Sequence, residues 1–185
     1  RNKAQFPVGL NRDGEIVSGF YAGRTHSIVE IDSCALGMQR DESQAGLDVN
    51  ARVMEIVKTF MEVRGITPYD EKSHKGLVRH VLIRIGAKTG QVMVCVVING
   101  DKLPYSQELV EKLLTIPGMS DISININKGK NNVILGKKIV SLYGPGYIED
   151  YIGDVKFRIS PLSFFQVNPI QTEKLYGKAL EYAGL

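Results

Sequence analysis

The sequence predicts an α+β fold, made mainly of antiparallel sheets with two packed helices and one further helix at the C-terminal end. Three observations predict it. Short alternating or β-branched runs recur along the whole chain, separated by turn-sized intervals. Two apolar helical stripes interrupt these runs, in an order that does not read as a parallel βαβ array. The last segment, "SPLSFFQVNPIQTEKLY", passes from a strand through a short loop to a helix within a few residues.

The elements follow in order. In "RNKAQFPV", Asn2, Ala4, Phe6 and Val8 alternate with Arg1, Lys3, Gln5 and Pro7, giving a mainly apolar face and a basic or polar one. Asp13-Gly14 marks a turn, "EIVSGFY" returns as a partner strand, and "HSIVEI" is a third strand. Val49, Val53, Ile56, Val57 and Phe60 form one helical stripe that Gly65 ends. "LVRHVLIRIG" and "QVMVCVVI" make a hairpin turning around residues 88–90, with Cys95 in its core. Leu109, Val110, Leu113 and Leu114 belong to a shorter helix that ends before Pro117-Gly118. The runs "DISINI", "NNVILG", "KKIVSLYG" and "YIEDYIGDVKFRIS" all read as strands, the last folding back at Gly153-Asp154.

Composition narrows the class. The 185 residues are 43% hydrophobic and 23% charged, the balance of an ordinary globular protein. No apolar run approaches the roughly 20 residues that span a bilayer, and no membrane association is expected. A net charge of +3 is too small to mark a nucleic-acid binder by itself. Two distant cysteines make neither a disulfide framework nor a self-contained metal site, and a reducing, cytoplasmic setting is expected.

The stretch at residues 160–176 carries the most information. Asn168 can cap a helix that Pro169 starts, with Gln171 placed to reach back to the cap. Phe164 and Phe165 are adjacent in an extended segment, so one packs inward and the other is left for a cleft or a neighbour. Gln166 offers a donor and an acceptor between this aromatic shelf and the helix N-terminus, where it can hold a polar ligand. Core packing with an ordinary cap is the simpler reading of the same residues. Base amino-methyltransferases use an Asn-Pro-Pro-aromatic loop, but here Ile170 and Gln171 follow Asn168-Pro169, so that chemistry has no support.

"SFFQVNPIQTEKLY" resembles the junction before the catalytic domain of the RNA uracil-5 methyltransferase family. "RNKAQFPVG", "GFYAGRTHSIVEIDSC", "GLVRHVLIR", "NNVILG" and "IGDVKFRIS" resemble further landmarks of that family, in the family's order, and the likeness is strongest to its bacterial ribosomal RNA branch. The resemblance implies a central domain at residues 1–163, facing RNA, and the beginning of a Rossmann-like methyltransferase domain at residues 164–185. It implies S-adenosyl-L-methionine as cofactor, RNA and specifically 23S rRNA as partner, and no obligate protein partner. In the family's chemistry a cysteine thiolate adds to C6 of uracil, C5 takes the methyl group and a glutamate removes the C5 proton. Neither catalytic motif is found here, so the catalytic residues are expected beyond Leu185 and this stretch alone is expected to be inactive. An RNA-binding or assembly module without catalysis, and a purely structural domain, are the alternatives.

The resemblance also assigns residues. Gln166 becomes a cofactor-binding candidate, and Phe164 and Gln5 candidates for contact with the target, although an arginine stands at the position of Gln5 in some members. Cys34 resembles the last of four ligands to a [4Fe-4S] cluster, a group that needs four thiolates, of which the other three are expected upstream of Arg1. His80 and Arg84 share one strand face roughly 13 Å apart and are candidate RNA contacts, with Arg79 on the opposite face. A surface histidine and arginine without a partner fit that pattern equally. Arg24 and His26 near a turn are weaker RNA candidates, and the lysines of "NKGKNN" read as a solvated loop.

Overall fold

A computed structural model describes residues 1–31 and 48–184. The strands are β1 (Lys3–Leu10), β2 (Ile16–Tyr21), β3 (Ile28–Glu30), β4 (Val78–Ile85), β5 (Val92–Ile98), β6 (Met119–Ile126), β7 (Lys138–Tyr143), β8 (Ile148–Ile152) and β9 (Val155–Ile159). The helices are α1 (Val49–Arg64), α2 (Ser106–Leu113) and α3 (Pro169–Ala183). The first seven strands form one sheet in the order β3-β2-β1-β4-β5-β6-β7, and β8 and β9 pair separately.

Helix α1 begins where Asp48 accepts hydrogen bonds from the N–H groups of Asn50 and Ala51 at 3.0 and 3.2 Å. It ends at Gly65, whose φ of 61° is a conformation that a Cβ disfavours. Its stripe of Val49, Val53, Val57 and Phe60 is buried against the sheet face formed by Phe6, Val81, Ile83, Val94, Val96 and Ile124. Leu109, Val110 and Leu113 of α2 join the same core. Strands β4 and β5 are buried on both faces, which explains their nearly unbroken apolar wording.

Three features depart from the reading of the sequence. Strand β6 runs parallel to β5, the crossover being α2, so one βαβ unit sits inside an otherwise antiparallel sheet. "NNVILG" forms an irregular loop rather than a strand. The side chain of Asn127 donates to the carbonyls of Val133 and Ile134 at 2.6 and 2.9 Å, and Asn125 exchanges hydrogen bonds with Gly136 at 2.8 and 2.7 Å. These side chains satisfy backbone groups that a strand would have paired in a ladder. A Cβ at Gly136 would lie 2.0 Å from the Ile126 carbonyl oxygen, so only glycine lets the loop run this close. Third, the ladder between β4 and β5 shifts register between Val78 and His80, and Arg79 and His80 line one cleft together instead of facing opposite ways.

The second face of the sheet carries Lys3, Gln5, His80, Leu82, Arg84, Met93, Cys95, Asp121, Ser123 and Asn125, as the pairing register requires. The β8–β9 hairpin covers its Met93 end through Ile148, Ile159 and Phe157. The β4–β5 turn is clasped to this hairpin, since the Asp150 carboxylate accepts from the N–H groups of Ala87 and Lys88 at 2.8 and 2.9 Å.

Two titratable groups lie deep in this face. Burial pushes the Cys95 thiol up to about 12, which leaves it protonated and without nucleophilic character. Asp121 is fully buried, one carboxylate oxygen accepts the Gly146 N–H, and the other has no partner. Burial raises its pKa from 3.8 to about 6, although the Gly146 hydrogen bond works the other way. The folded state therefore binds more protons than the unfolded state between these values, and stability falls as pH rises through this window. Asp121→Asn is expected to flatten that fall, measured by urea unfolding across about pH 4 to 7.

Candidate functional site

The segment at residues 160–168 is fastened at several points before α3 begins. Its serines close a turn, Ser163 Oγ lying 3.0 Å from the Ser160 N–H and 2.9 Å from Ser160 Oγ. The Arg84 guanidinium donates to the Ser163 carbonyl. Asn2 donates its backbone N–H to the Val167 carbonyl at 2.9 Å and its side-chain amide to the Gln166 carbonyl at 3.0 Å. Asn168 then caps α3, accepting from the Gln171 N–H at 3.2 Å, with Pro169 in the first turn. The backbone on both sides of Gln166 is fixed, yet the Gln166 side chain makes no hydrogen bond among the described residues.

The structure separates the two phenylalanines. Phe165 packs against Phe157, ring centroids 5.6 Å apart, in the small core under the β8–β9 hairpin. Phe164 points away and is 86% exposed. Gln5 lies opposite Leu82 on the same sheet face as Lys3 and Arg84. Lys3 and Arg84 are themselves directly paired across β1 and β4. Burial, and secondarily the Arg84 charge, lower the Lys3 pKa. Two cations placed side by side, neither in an ion pair among the described residues, favour an anion between or above them.

His80 and Arg84 do share a face, but neither stands at the surface, being 4% and 3% exposed. Arg84 secures the approach to α3, while His80 lines a cleft at the other end of β4. Burial, and secondarily Arg79, push the His80 pKa down to about 4, so its ring is neutral at pH 7. Arg79 is 2% exposed, stacks 4.2 Å over the Tyr69 ring, donates to the Asn127 and Gly129 carbonyls and meets Glu71 at 3.1 Å. Its position in the cleft was not legible, because a bulge leaves no mark in an alternating pattern. Cys34 lies outside the described residues, and among these no cluster of histidine, cysteine or carboxylate side chains could hold a metal ion. No described helix is long and apolar enough to cross a membrane.

No protein-family model matches the chain. A Clostridium tetani protein named as an uncharacterized RNA methyltransferase is 45% identical over 186 residues, covering 100% of this chain and 38% of its own length. A protein of the same description from Caldanaerobacter subterraneus subsp. tengcongensis is 46% identical over 187 residues, covering 100% of this chain and 39% of its own. The chain thus spans about two-fifths of the length of these relatives. The crystal structure of Pyrococcus abyssi tRNA (uracil-54, C5)-methyltransferase in complex with S-adenosyl-L-homocysteine superposes with a TM-score of 0.75 at 26% identity, covering 98% of this chain and 40% of that one. As the motif resemblance implied, the chain is similar, along its whole length, to part of proteins named as RNA methyltransferases, and its fold to part of a tRNA uracil-5 methyltransferase.

Proposed function

We propose that the chain is the central, RNA-facing part of an S-adenosyl-L-methionine-dependent RNA uracil-5 methyltransferase acting on 23S rRNA, with α3 as the first helix of its methyltransferase domain. The observation that carries this reading is the loop at residues 160–168, where an unbonded Gln166 amide and an exposed Phe164 are held between fixed points. The full-length likeness to RNA methyltransferases supports it, and so does the paired Lys3 and Arg84 beside the loop, a charge arrangement suited to an RNA phosphate. Helix α3 agrees with a helix awaiting a neighbour, since Ile170, Leu175 and Leu180 are exposed and only Thr172 is buried.

In this reading the cofactor supplies the methyl group. Gln166 binds the cofactor, Phe164 offers its ring to the unstacked target base, and Gln5 reaches the target from β1. Cys34 holds the last position of an iron–sulfur cluster completed by cysteines elsewhere in the protein. The test is Gln166→Ala in the full-length protein. A lost neutral hydrogen bond weakens cofactor affinity roughly two- to tenfold, from about 0.5–1.5 kcal/mol, with the melting temperature nearly unchanged. Cofactor affinity measured by calorimetry and equal to that of the parent would remove Gln166 from the site.

A further inference from the structure

We infer that the cleft between the β2–β3 turn and the 127–137 loop is a nucleobase pocket, which takes a base of the RNA other than the uridine that reacts. The inference rests on the RNA methyltransferase reading above. Tyr21, His26, Arg79, His80, Asn131 and Val133 are among its lining residues.

Two of the lining residues also carry a buried polar atom without a partner among the described residues, Arg79 Nε and His80 Nδ1. A buried donor or acceptor left unpaired is costly, and native proteins leave few of them. The charge of the cleft decides what it could take. Glu71 already neutralises Arg79, and His80 is held neutral by burial and by Arg79 beside it, so nothing here favours a phosphate. What remains is a neutral cleft whose polar lining, the His80 imidazole and the Asn131 and Asn132 amides, suits the donor and acceptor edge of a planar heterocycle. Tyr21 supplies an aromatic surface. His26 and His80 meet its ring edge to face, at 5.6 and 6.2 Å between centroids, while 37% of the residue stays exposed. An aromatic ring braced in this way loses little freedom when a base stacks on it.

The rim indicates that the base belongs to a polymer. Arg24 precedes Thr25 and His26, and Lys130 precedes Asn131; both cations are exposed and neither forms an ion pair among the described residues. They are suited to the backbone phosphates on either side of an inserted base. Along β4 the cleft lies at the opposite end from Arg84 and the Gln166 loop, four residues or roughly 13 Å away, so its occupant is a second nucleotide.

The test uses the full-length protein and an RNA transcript that it methylates. Tyr21→Leu is expected to raise the Kd for this RNA about tenfold at fixed salt without changing the salt dependence, and Tyr21→Phe is expected to bind like the parent. Arg24→Ala and Lys130→Ala should each lower the slope of log K against log salt by about one. Ultraviolet crosslinking of the unaltered protein should join a nucleotide to the peptide carrying Tyr21 or to the one carrying Asn131, which keeps the test independent of any folding defect. Binding by Tyr21→Leu within about twofold of the parent, or crosslinks to the Phe164 peptide with none to these two, would overturn the pocket and leave the methyltransferase reading standing. A parent protein that methylates no RNA would remove both.

Discussion

A polypeptide of residues 1–185, incubated with target RNA and labelled S-adenosyl-L-methionine, is expected to transfer no methyl group while the full-length protein does. The reason is chemical. Addition to C6 of uracil needs a thiolate, and the thiol described here, Cys95, is sealed in the sheet with its pKa pushed up to about 12. The same polypeptide is expected to fold cooperatively, because its core of α1, α2 and both faces of β4 and β5 is complete within these residues. Turnover by this stretch alone would contradict its assignment as a central domain, and an unfolded circular dichroism spectrum would contradict its independence.

The second large effect concerns stability. Glu71→Ala leaves the Arg79 guanidinium, 2% exposed, without the only carboxylate that meets it among the described residues. Removing one partner of a buried ion pair costs about 3 kcal/mol, whereas replacing both with apolar groups costs much less. Glu71→Ala is therefore expected to lower unfolding free energy by about 3 kcal/mol in urea titrations, and Glu71→Ala with Arg79→Met to recover part of it. Because Arg79 also donates to the Asn127 and Gly129 carbonyls, the 127–137 loop should lose protection from hydrogen exchange in the single variant. A change below about 0.5 kcal/mol would show that the Tyr69 ring and the two carbonyls hold Arg79 unaided.

The features legible in the sequence were those with a local cause. The stripe of α1, its stop at Gly65, the β4–β5 hairpin and the Asn168-Pro169 helix start each depend on residues within a few positions of one another. What stayed hidden depends on distant partners. "NNVILG" has the wording of a strand, but the Asn125 and Asn127 side chains hold it as a loop, and asparagine in a strand gives no sign of such a task. A single-residue register shift brings Arg79 round to His80, and period-two counting assumes that no shift occurs. The alternation also identified a shared face for His80 and Arg84 but not its burial, because the β8–β9 hairpin and the 127–137 loop that cover this face come from far along the chain.

The two hydrogen bonds from Asn2 bring residue 2 and residues 166 and 167 to one place. The polypeptide returns at residue 166 to the side of residue 2, so the stretch between them forms a closed excursion. Such a unit can be carried within a longer protein much as an inserted domain is, its neighbours needing to accommodate only one attachment point. The contact is also a long-range one, closing a loop of 164 residues. The backbone that presents Gln166 is thus held by a residue from the far end of the same chain, and a change that loosens Asn2 should loosen the candidate cofactor contact with it.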